Sequence, residues 1–405
     1  MNEREKIEEL LTRSVAAIYP NKEELKKVLL SGKKLRIYNG IDPTATYVHL
    51  GHATNYLILK KFHELGHKII ILIGDFTAMI GDPSDKNAAR KRLTKEEVLL
   101  NLKSFKNQIG KIIDFENKTN LIEFRFNADW LAKLTWEEGI ELASHFTVQQ
   151  IIERDIFQKR IKENKPLYLH EFFYPLMQGY DSVALEADLE IGGTDQTFNM
   201  LAGRILVKDY QNREKFVITT TLLEHPITKE KLMSKSLGTG IGLDENPTDM
   251  FGKVMAMADE TIIQLYTDCT NISFKEVKNI QQELEKGSNP KDIKTRLAEE
   301  IVAMYHGKEK ARQARENFEK TFSKGEFPEN ARVVETEKGV KLGDILVENK
   351  IVSSKTEFRR LVESGAISSA SGKKIENPNI LAEELQEEGR KLRIGKKSFV
   401  IINLH

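Results

Sequence analysis

The stretch from Tyr38 to Asn55, YNGIDPTATYVHLGHATN, decides the fold of this 405-residue chain. An apolar run precedes it, a Gly-Ile-Asp-Pro-Thr break interrupts it, and an amphipathic run begins at its end. This order predicts a strand, a turn and the start of a helix. His49 and His52 flank Gly51 at the predicted helix start, where free backbone N–H groups and the helix dipole attract phosphate.

Other groups on this loop extend the prediction of a phosphate site. Gly51 lets a ligand approach the backbone closely, and Asp42 and Thr44 contribute oxygen atoms beside it. A solvated loop with two ordinary histidines explains the same residues when the stretch is taken alone. Other segments of the chain must decide between these interpretations.

The composition limits the classes of protein that need to be considered. The length allows two or three domains with a sizeable core. Lys and Arg number 62 against 61 Asp and Glu, so any nucleic-acid surface must be local. Cys269 is the single cysteine, which excludes an intrachain disulfide and a cysteine-built zinc site. We predict that it is a small packing residue.

The sequence also predicts where the protein works. Residues 1–13 are densely charged and lack the apolar segment of a secretion signal. The longest apolar run, Ile69–Ile73, suits a strand and is too short to cross a bilayer. We expect a cytoplasmic protein without membrane association.

Apolar runs on both sides of the opening stretch predict the fold class. Leu35–Ile41 and Lys68–Gly74 suit buried strands around the helix that begins near Gly51, which makes a parallel βαβ unit. Ligands of such sheets bind beyond the carboxyl ends of the strands, where Asp42 and Asp75 fall. We predict an α/β fold with a doubly wound, Rossmann-like parallel sheet, and further strands over 183–191 and 216–221.

Changes in pattern along the chain predict its domains. They are a catalytic domain at 1–245, a helical domain at 246–322, a linker at 323–340 and a small α+β domain at 341–405. Within the first, residues 1–32 read as leading helices, and about 94–180 as a helical insertion broken by a strand-like segment at 121–127. The last domain has 12 basic and 9 acidic residues, so it is locally basic.

A second motif, EKLMSKS at 230–236, follows the last predicted strand of the sheet. A flexible loop that carries lysines can close on a triphosphate and neutralise charge on its leaving group. HLGH at 49–52 and MSKS at 233–236 resemble the HIGH and KMSKS signatures of class I aminoacyl-tRNA synthetases. The resemblance implies catalytic roles for His49, His52, Ser234 and Lys235. Leu232 occupies the usual first lysine position, and Lys231 lies one residue earlier as a further candidate.

Five other segments are similar to tyrosyl-tRNA synthetases of the bacterial subgroup with an MSKS loop. They are YNGIDPT at 38–44, IGDFTAMIGDPSDK at 73–86, TVQQIIERDIFQKR at 147–160, LHEFFYPLMQGYDS at 169–182 and EIGGTDQTFN at 190–199. The resemblance implies a tyrosine–tRNA ligase that uses ATP with Mg²⁺, without a tightly bound cofactor or a protein metal site. It also implies a homodimer formed through the inserted segment, with tRNA(Tyr) as the second substrate.

The same resemblance assigns the substrate-binding residues. Tyr38 and Asp181 would meet the hydroxyl of L-tyrosine, and helical spacing from Tyr174 and Gln178 puts Asp181 on the same face. The ammonium would contact Asp82, Tyr174 and Gln178, and Gln196 would face the carboxylate. The ATP or adenylate set comprises Asp42, Thr44, Gly51, Lys86, Gly193 and Asp195. Glu190 stands where relatives often have Gln, and it stays unassigned.

The last domain resembles an S4-type RNA-binding domain. Arg359 and Arg360 on a predicted helix, and Lys373 and Lys374 in a turn, would contact RNA phosphates. A small domain with solvated basic residues is the plainer alternative. For the whole chain, three other functions stay open: a synthetase for tryptophan, a nucleotidyltransferase of the HIGH superfamily that needs no tRNA, and an RNA-binding protein that has lost catalysis.

Overall fold

The computed structural model describes residues 2–43, 47–82, 94–116, 122–233, 239–323, 331–370, 372–385, 390–395 and 398–405. Two compact units divide the chain, Met1–Lys308 and Glu309–His405. The domain boundaries at 245 and 322 stay predictions. No helix in the described part of the chain is both long and apolar enough to cross a membrane.

A six-stranded sheet forms the centre of the first unit, in the order β1-β6-β5-β2-β3-β4. Among these six strands, the pairing of β1 with β6 is antiparallel and the other four pairings are parallel. β3 is almost entirely buried because helices cover both faces of a parallel sheet, which suits its sequence KIIILI. The strands are β1 (Val15–Tyr19), β2 (Arg36–Ile41), β3 (Lys68–Ile73), β4 (Glu123–Phe126), β5 (Leu189–Gly193) and β6 (Phe216–Thr220).

Fifteen α-helices accompany this sheet in the described residues of the first unit. Side-chain caps begin many of them, such as the Asn, Thr and Ser residues that accept hydrogen bonds from the first turn. They are α1 (Glu3–Leu10), α2 (Lys22–Leu30), α3 (Leu50–Glu64), α4 (Thr77–Ile80), α5 (Lys95–Ile109), α6 (Ala128–Leu131), α7 (Trp136–Ser144), α8 (Val148–Ile152), α9 (Asp155–Lys162), α10 (Leu169–Ala184), α11 (Thr197–Gln211), α12 (Pro247–Met255), α13 (Ile262–Cys269), α14 (Phe274–Glu285) and α15 (Pro290–His306).

The predicted fold class is confirmed. β2 leads to β3 and β4 on one side, whereas β5 and β6 lie on the other side, so the order in which successive strands join the sheet reverses between β2 and β5. Such a reversal is the usual ligand site of a doubly wound sheet. The register between β2 and β5 covers only Ile37–Leu189 and Tyr38–Glu190. Beyond it, the Asn39 side chain donates a hydrogen bond to the Ile191 carbonyl at 2.7 Å.

Two local predictions were correct only in part: the helices predicted in residues 1–32 are α1 and α2, but a strand between them was missed, and a predicted strand began too early. Residues 1–32 contain β1 between two helices, because a five-residue apolar segment can pair with β6 some 200 positions later, a partner that local periodicity does not reveal. The strand predicted from 183 begins only at Leu189. The apolar residues before it belong to α10, whose periodicity continues through Ala184.

The second unit has its own small core and sheet. Helix α16 (Lys308–Ser323) lies at the start of this unit, and α17 (Leu342–Glu348) and α18 (Lys355–Glu363) pack on a sheet of order β7-β10-β9-β8. The strands are β7 (Arg332–Thr336), β8 (Ile367–Ser369), β9 (Lys391–Ile394) and β10 (Ser398–Leu404). β7 lies within the stretch predicted as a linker, where it pairs in parallel with β10 and buries Val334.

Candidate active site

A cavity of about 600 Å³ opens at the carboxyl ends of the parallel strands, where β2 and β5 part. Four positions predicted for the site, Thr44, Lys86, Ser234 and Lys235, lie outside the described residues. The other predicted residues of the first unit all line this cavity: Tyr38, Asp42, His49, Gly51, His52, Asp82, Tyr174, Gln178, Asp181, Gly193, Asp195, Gln196 and Lys231.

The deep end of the cavity contains Tyr38 and Asp181, on β2 and α10. The Tyr38 hydroxyl is 2.7 Å from the Ser182 hydroxyl. Asp181 accepts hydrogen bonds from Trp130 Nε1 at 2.7 Å and Asn127 Nδ2 at 3.3 Å. Burial raises the pKa of Asp181, and these two donors oppose that shift. The wall therefore presents one hydroxyl and one carboxyl group that are both buried.

Asp42 connects the end of β2 to α10. Its two carboxylate oxygens accept hydrogen bonds from the Tyr174 hydroxyl at 2.8 Å and from Thr77 Oγ1 at 2.7 Å. Gly74 leaves the space for this arrangement, since a side chain there would overlap the Asp42 carboxylate. Asp42 thus contacts a residue predicted to bind tyrosine, and its own role towards ATP stays a prediction.

Asp82 is held by two side chains across the cavity. Arg154, which is 5% exposed, donates to one carboxylate oxygen at 2.7 Å, and Gln196 donates to the other at 2.8 Å. The Asn199 side chain donates hydrogen bonds to the side-chain oxygens of Gln178 and Gln196, at 2.9 and 3.0 Å. One network therefore fixes the orientation of residues that come from four separate segments of the chain.

The unassigned Glu190 has a buried partner. Lys215, which directly precedes β6, donates hydrogen bonds to Glu190 Oε2 and to Ser182 Oγ. The other carboxylate oxygen of Glu190 accepts from Gln178 Nε2 at 3.0 Å. The pair therefore contacts the hydrogen-bond networks of both Tyr38 and Gln178.

The two histidines lie at the start of α3. Their rings are stacked with centroids 3.7 Å apart, and the His52 ring accepts a hydrogen bond from the His49 backbone N–H at 3.4 Å. A Cβ atom at Gly51 would lie 3.2 Å from the His49 ring, so this position favours glycine. The first turn of a fifteen-residue helix consequently faces the cavity with both imidazoles.

The opposite rim carries Asp195 and Lys231. Lys231 Nζ is 3.8 Å from Asp195 Oδ2, and both side chains are well exposed. Burial of part of the carboxyl raises the pKa of Asp195, and Lys231 opposes that shift. An ammonium group at this rim can change partners when an anionic ligand enters.

Comparisons with known proteins identify the family. The model for tRNA synthetases class I (W and Y) matches residues 30–323. A tyrosine–tRNA ligase of Moorella thermoacetica is 43% identical over 96% of this chain and 94% of its own. One of Thermotoga maritima is 42% identical over 97% of this chain and 96% of its own.

The chain belongs to the tyrosine–tRNA ligases. Members of this class I family are enzymes that join tyrosine to tRNA with ATP as a substrate. The tryptophan alternative, the tRNA-independent nucleotidyltransferase and the non-catalytic RNA-binding protein therefore do not describe this chain.

Solved structures of more distant tyrosyl-tRNA synthetases share the fold. A C-terminally truncated mitochondrial enzyme of Aspergillus nidulans matches with a TM-score of 0.65 at 21% identity, over 78% of this chain and 94% of its own. The Archaeoglobus fulgidus enzyme, solved with L-tyrosine, matches with a TM-score of 0.59 at 20% identity, over 77% and 99%.

Some residues of this tyrosine–tRNA ligase site were missed in the sequence. Asn127 directly follows β4, so the rule that selected Asp42 and Asp75 at strand ends could have selected it as well. The others gave no usable signal, because each lies far along the chain from the residue that it contacts. They are Thr77, Trp130, Arg154, Ser182 and Lys215.

The basic residues predicted to bind RNA belong to the second unit. Arg359 and Arg360 are exposed on α18, and Lys373 and Lys374 are exposed in the turn after β8. The Lys374 ammonium lies 3.0 Å from the point where a Cβ atom on Gly365 would be, just past the end of α18. The unit therefore brings at least one lysine of the turn close to the end of the arginine-bearing helix.

Proposed function

We propose that the cavity binds L-tyrosine and ATP next to each other and promotes attack of the tyrosine carboxylate on the α-phosphorus. The new O–P bond gives tyrosyl-adenylate, and pyrophosphate leaves. The 3′-terminal ribose of tRNA(Tyr) then attacks the acyl carbon, and AMP leaves. The observation that carries this proposal is that residues from five distant segments line one cavity at the sheet reversal.

For tyrosine, the phenol hydroxyl would lie between Tyr38 and Asp181. Phenylalanine could not make the hydrogen bonds that these two buried groups offer to a ligand, and the cost of those missing bonds is the basis of its rejection. The ammonium would be held by Asp82, Tyr174 and Gln178. The Asp82 contacts with Arg154 and Gln196 support this role, because they keep the carboxylate oriented before a substrate binds.

For ATP, His49 and His52 would contact the phosphates at the start of α3, with Gly51 allowing close approach. Asp195 would bind the ribose hydroxyls beside Gly193. Catalysis would come from positioning and from electrostatic stabilisation by the lysine loop, in which Ser234 and Lys235 act with Lys231. Asp42, Thr44 and Lys86 complete the proposed nucleotide set. Mg²⁺ would enter with ATP, and no tightly bound cofactor is needed.

For tRNA and assembly, the proposal extends to the second unit and to a dimer in the cytoplasm. Arg359, Arg360, Lys373 and Lys374 would contact RNA phosphates. A homodimer through the segment predicted as the insertion is supported by large apolar side chains exposed on its helices, namely Trp136, Ile140, Val148, Ile161 and Leu169.

The test is tyrosine-dependent exchange between ATP and pyrophosphate. Wild type should exchange with tyrosine and not with tryptophan. Asp181→Ala should raise the KM for tyrosine and bring tyrosine and phenylalanine at least tenfold closer in kcat/KM, as expected when one buried polar partner is lost. Unchanged discrimination in a folded Asp181→Ala variant would remove the proposed role of this carboxylate.

A further inference from the structure

Lys215 is a buried lysine that the proposed function leaves without a role. Its side chain is 0% exposed, and that of its partner Glu190 is 2% exposed. The three protons of its ammonium have three acceptors: Glu190 Oε2, Ser182 Oγ at 2.7 Å and the Met200 carbonyl at 3.2 Å. A buried ammonium persists only with such complete pairing.

The packing around this ammonium leaves little freedom. A Cβ atom at Gly203 on α11 would lie 2.5 Å from Lys215 Nζ and 2.6 Å from Ser182 Oγ. Glycine at this position therefore gives the ammonium room to reach Ser182. Lys215 Nζ also lies 5.6 Å from the centre of the Tyr38 ring. The lysine thus belongs to the structure that surrounds the tyrosine-reading end of the cavity.

Ser182 connects Lys215 to Tyr38. A hydroxyl has one proton and two acceptor positions, and Lys215 occupies one acceptor position of Ser182. The Ser182 proton can then go to the Tyr38 oxygen at 2.7 Å or to Glu190 Oε2 at 3.4 Å. The shorter contact favours Tyr38, and the ammonium favours it further by engaging the competing carboxylate.

The direction of this hydrogen bond determines what Tyr38 offers to a ligand. If Ser182 donates to Tyr38, the Tyr38 proton is free for the oxygen of a substrate phenol, whose own proton goes to Asp181. If Ser182 instead donates to Glu190, Tyr38 must donate to Ser182, and the substrate oxygen loses its donor. When Asp181 is ionised, only the first arrangement satisfies both the phenol and this carboxylate.

We propose that Lys215 is a positioning residue for amino acid specificity, which engages Glu190 and thereby directs the Tyr38 proton, through Ser182, to the phenol of tyrosine. The inference rests on the proposed role of Tyr38 at the substrate hydroxyl. It adds a determinant of specificity that touches no substrate.

The experiment measures kcat and KM for tyrosine and phenylalanine in pyrophosphate exchange. Lys215→Met should raise the KM for tyrosine about tenfold, as for the loss of one hydrogen bond, with kcat changed much less. The values for phenylalanine should hardly move, so discrimination falls by about the same factor. Equal losses for both amino acids would indicate a purely structural role and overturn the proposal.

Two further variants test the connection. Adding Lys215→Met to Ser182→Ala should cause little further loss of discrimination, because alanine can neither donate to Tyr38 nor accept its proton, and both changes act on one path. Additive losses would contradict the connection. Glu190→Gln combined with Lys215→Met removes the competing carboxylate and supplies an amide donor to Ser182. Discrimination should then return to within about threefold of wild type, as for a difference below 1 kcal/mol. A double variant that folds and still fails to discriminate overturns the proposal.

Two controls separate the possible failures. Lys294→Met changes another buried lysine, paired with Asp259 at 2.5 Å and the Met257 carbonyl at 2.8 Å, and should leave discrimination intact. Tyr38→Phe should lower discrimination if Tyr38 reads the phenol. If Tyr38→Phe has this effect and Lys215→Met does not, only the present inference fails. If neither variant lowers discrimination, the proposed role of Tyr38 is wrong, and the inference about Lys215 that rests on it is wrong as well.

Discussion

Two lysine–carboxylate pairs contribute a carboxylate to the wall of the same cavity, in opposite environments. Lys215 and Glu190 are 0% and 2% exposed, whereas Lys231 and Asp195 are 55% and 38% exposed, with 3.8 Å between their charged atoms. In the buried pair, complete hydrogen bonding offsets the free-energy cost of desolvation, so the geometry of the pair is fixed. The exposed pair is weakly held and can exchange its partner for a phosphate. In the proposed function, similar chemistry therefore serves orientation at one end of the cavity and charge neutralisation at the other.

Stability should separate the two pairs most strongly. Lys215→Met leaves a buried carboxylate without its cation and should lower the free energy of unfolding of the first unit by about 3–5 kcal/mol. Lys231→Met should change it by less than about 0.5 kcal/mol. Urea unfolding followed by tryptophan fluorescence measures both, since Trp130 and Trp136 lie in this unit. Similar losses from the two substitutions would remove the contrast.

His67 tests how the same unit tolerates a buried basic group that can lose its charge. It is 3% exposed, and its Nδ1 accepts a hydrogen bond from the Leu35 N–H at 3.1 Å. Burial, aided by Lys34, lowers the pKa of His67 to about 4 from its ordinary 6.5. The unfolded chain therefore takes up a proton at higher pH than the folded one, so stability falls as the pH drops from 6.5 towards 4.

The His67 contribution to that loss should be about 3 kcal/mol. It is measured as the difference in unfolding free energy between wild type and His67→Gln over this pH range. The glutamine variant should start less stable and lose less on acidification. Parallel curves of unfolding free energy against pH for the two proteins would show that the folded state protonates His67 as readily as the unfolded chain does.

The smallest effect should come from the exposed pair and should depend on salt. Lys231→Ala should raise the KM for ATP by about threefold at low ionic strength, and the difference should shrink as salt is added. Lys208→Ala is a matched control, because Lys208 lies 3.7 Å from Glu214 and does not line the cavity. An effect of Lys231→Ala that persists in high salt would indicate a specific contact rather than a screened attraction.

The parts of this molecule that depend on local pattern were predictable. The strand and helix around Gly51, the polar residues at strand ends and the inward face of α10 all follow from spacing and turn residues. The signature motifs near His49 and Lys231 then reduced the number of reactions that had to be considered. These features need no knowledge of which strand lies next to which.

The parts that depend on long-range register were not predictable. Lys215 meets Glu190 only because β5 and β6 pair with Glu190 opposite Val217. Arg154 reaches Asp82 across 72 positions of sequence, and β1 pairs with β6 about 200 positions later in the chain. A lysine before a strand usually remains solvated, so sequence gave no reason to bury this one.

The short pairing between β2 and β5 has a consequence for protein engineering. The two strands share only two register pairs and separate beyond Tyr38 and Glu190. The wall of the cavity therefore contains a gap between the strands, the seam, instead of a continuous hydrogen-bonded ladder. Libraries that enlarge this wall for bulkier amino acids can therefore let the two strands move further apart along the seam without loss of interstrand backbone bonds. Asn39 should be kept constant in such libraries, since its side chain bridges the seam to Ile191.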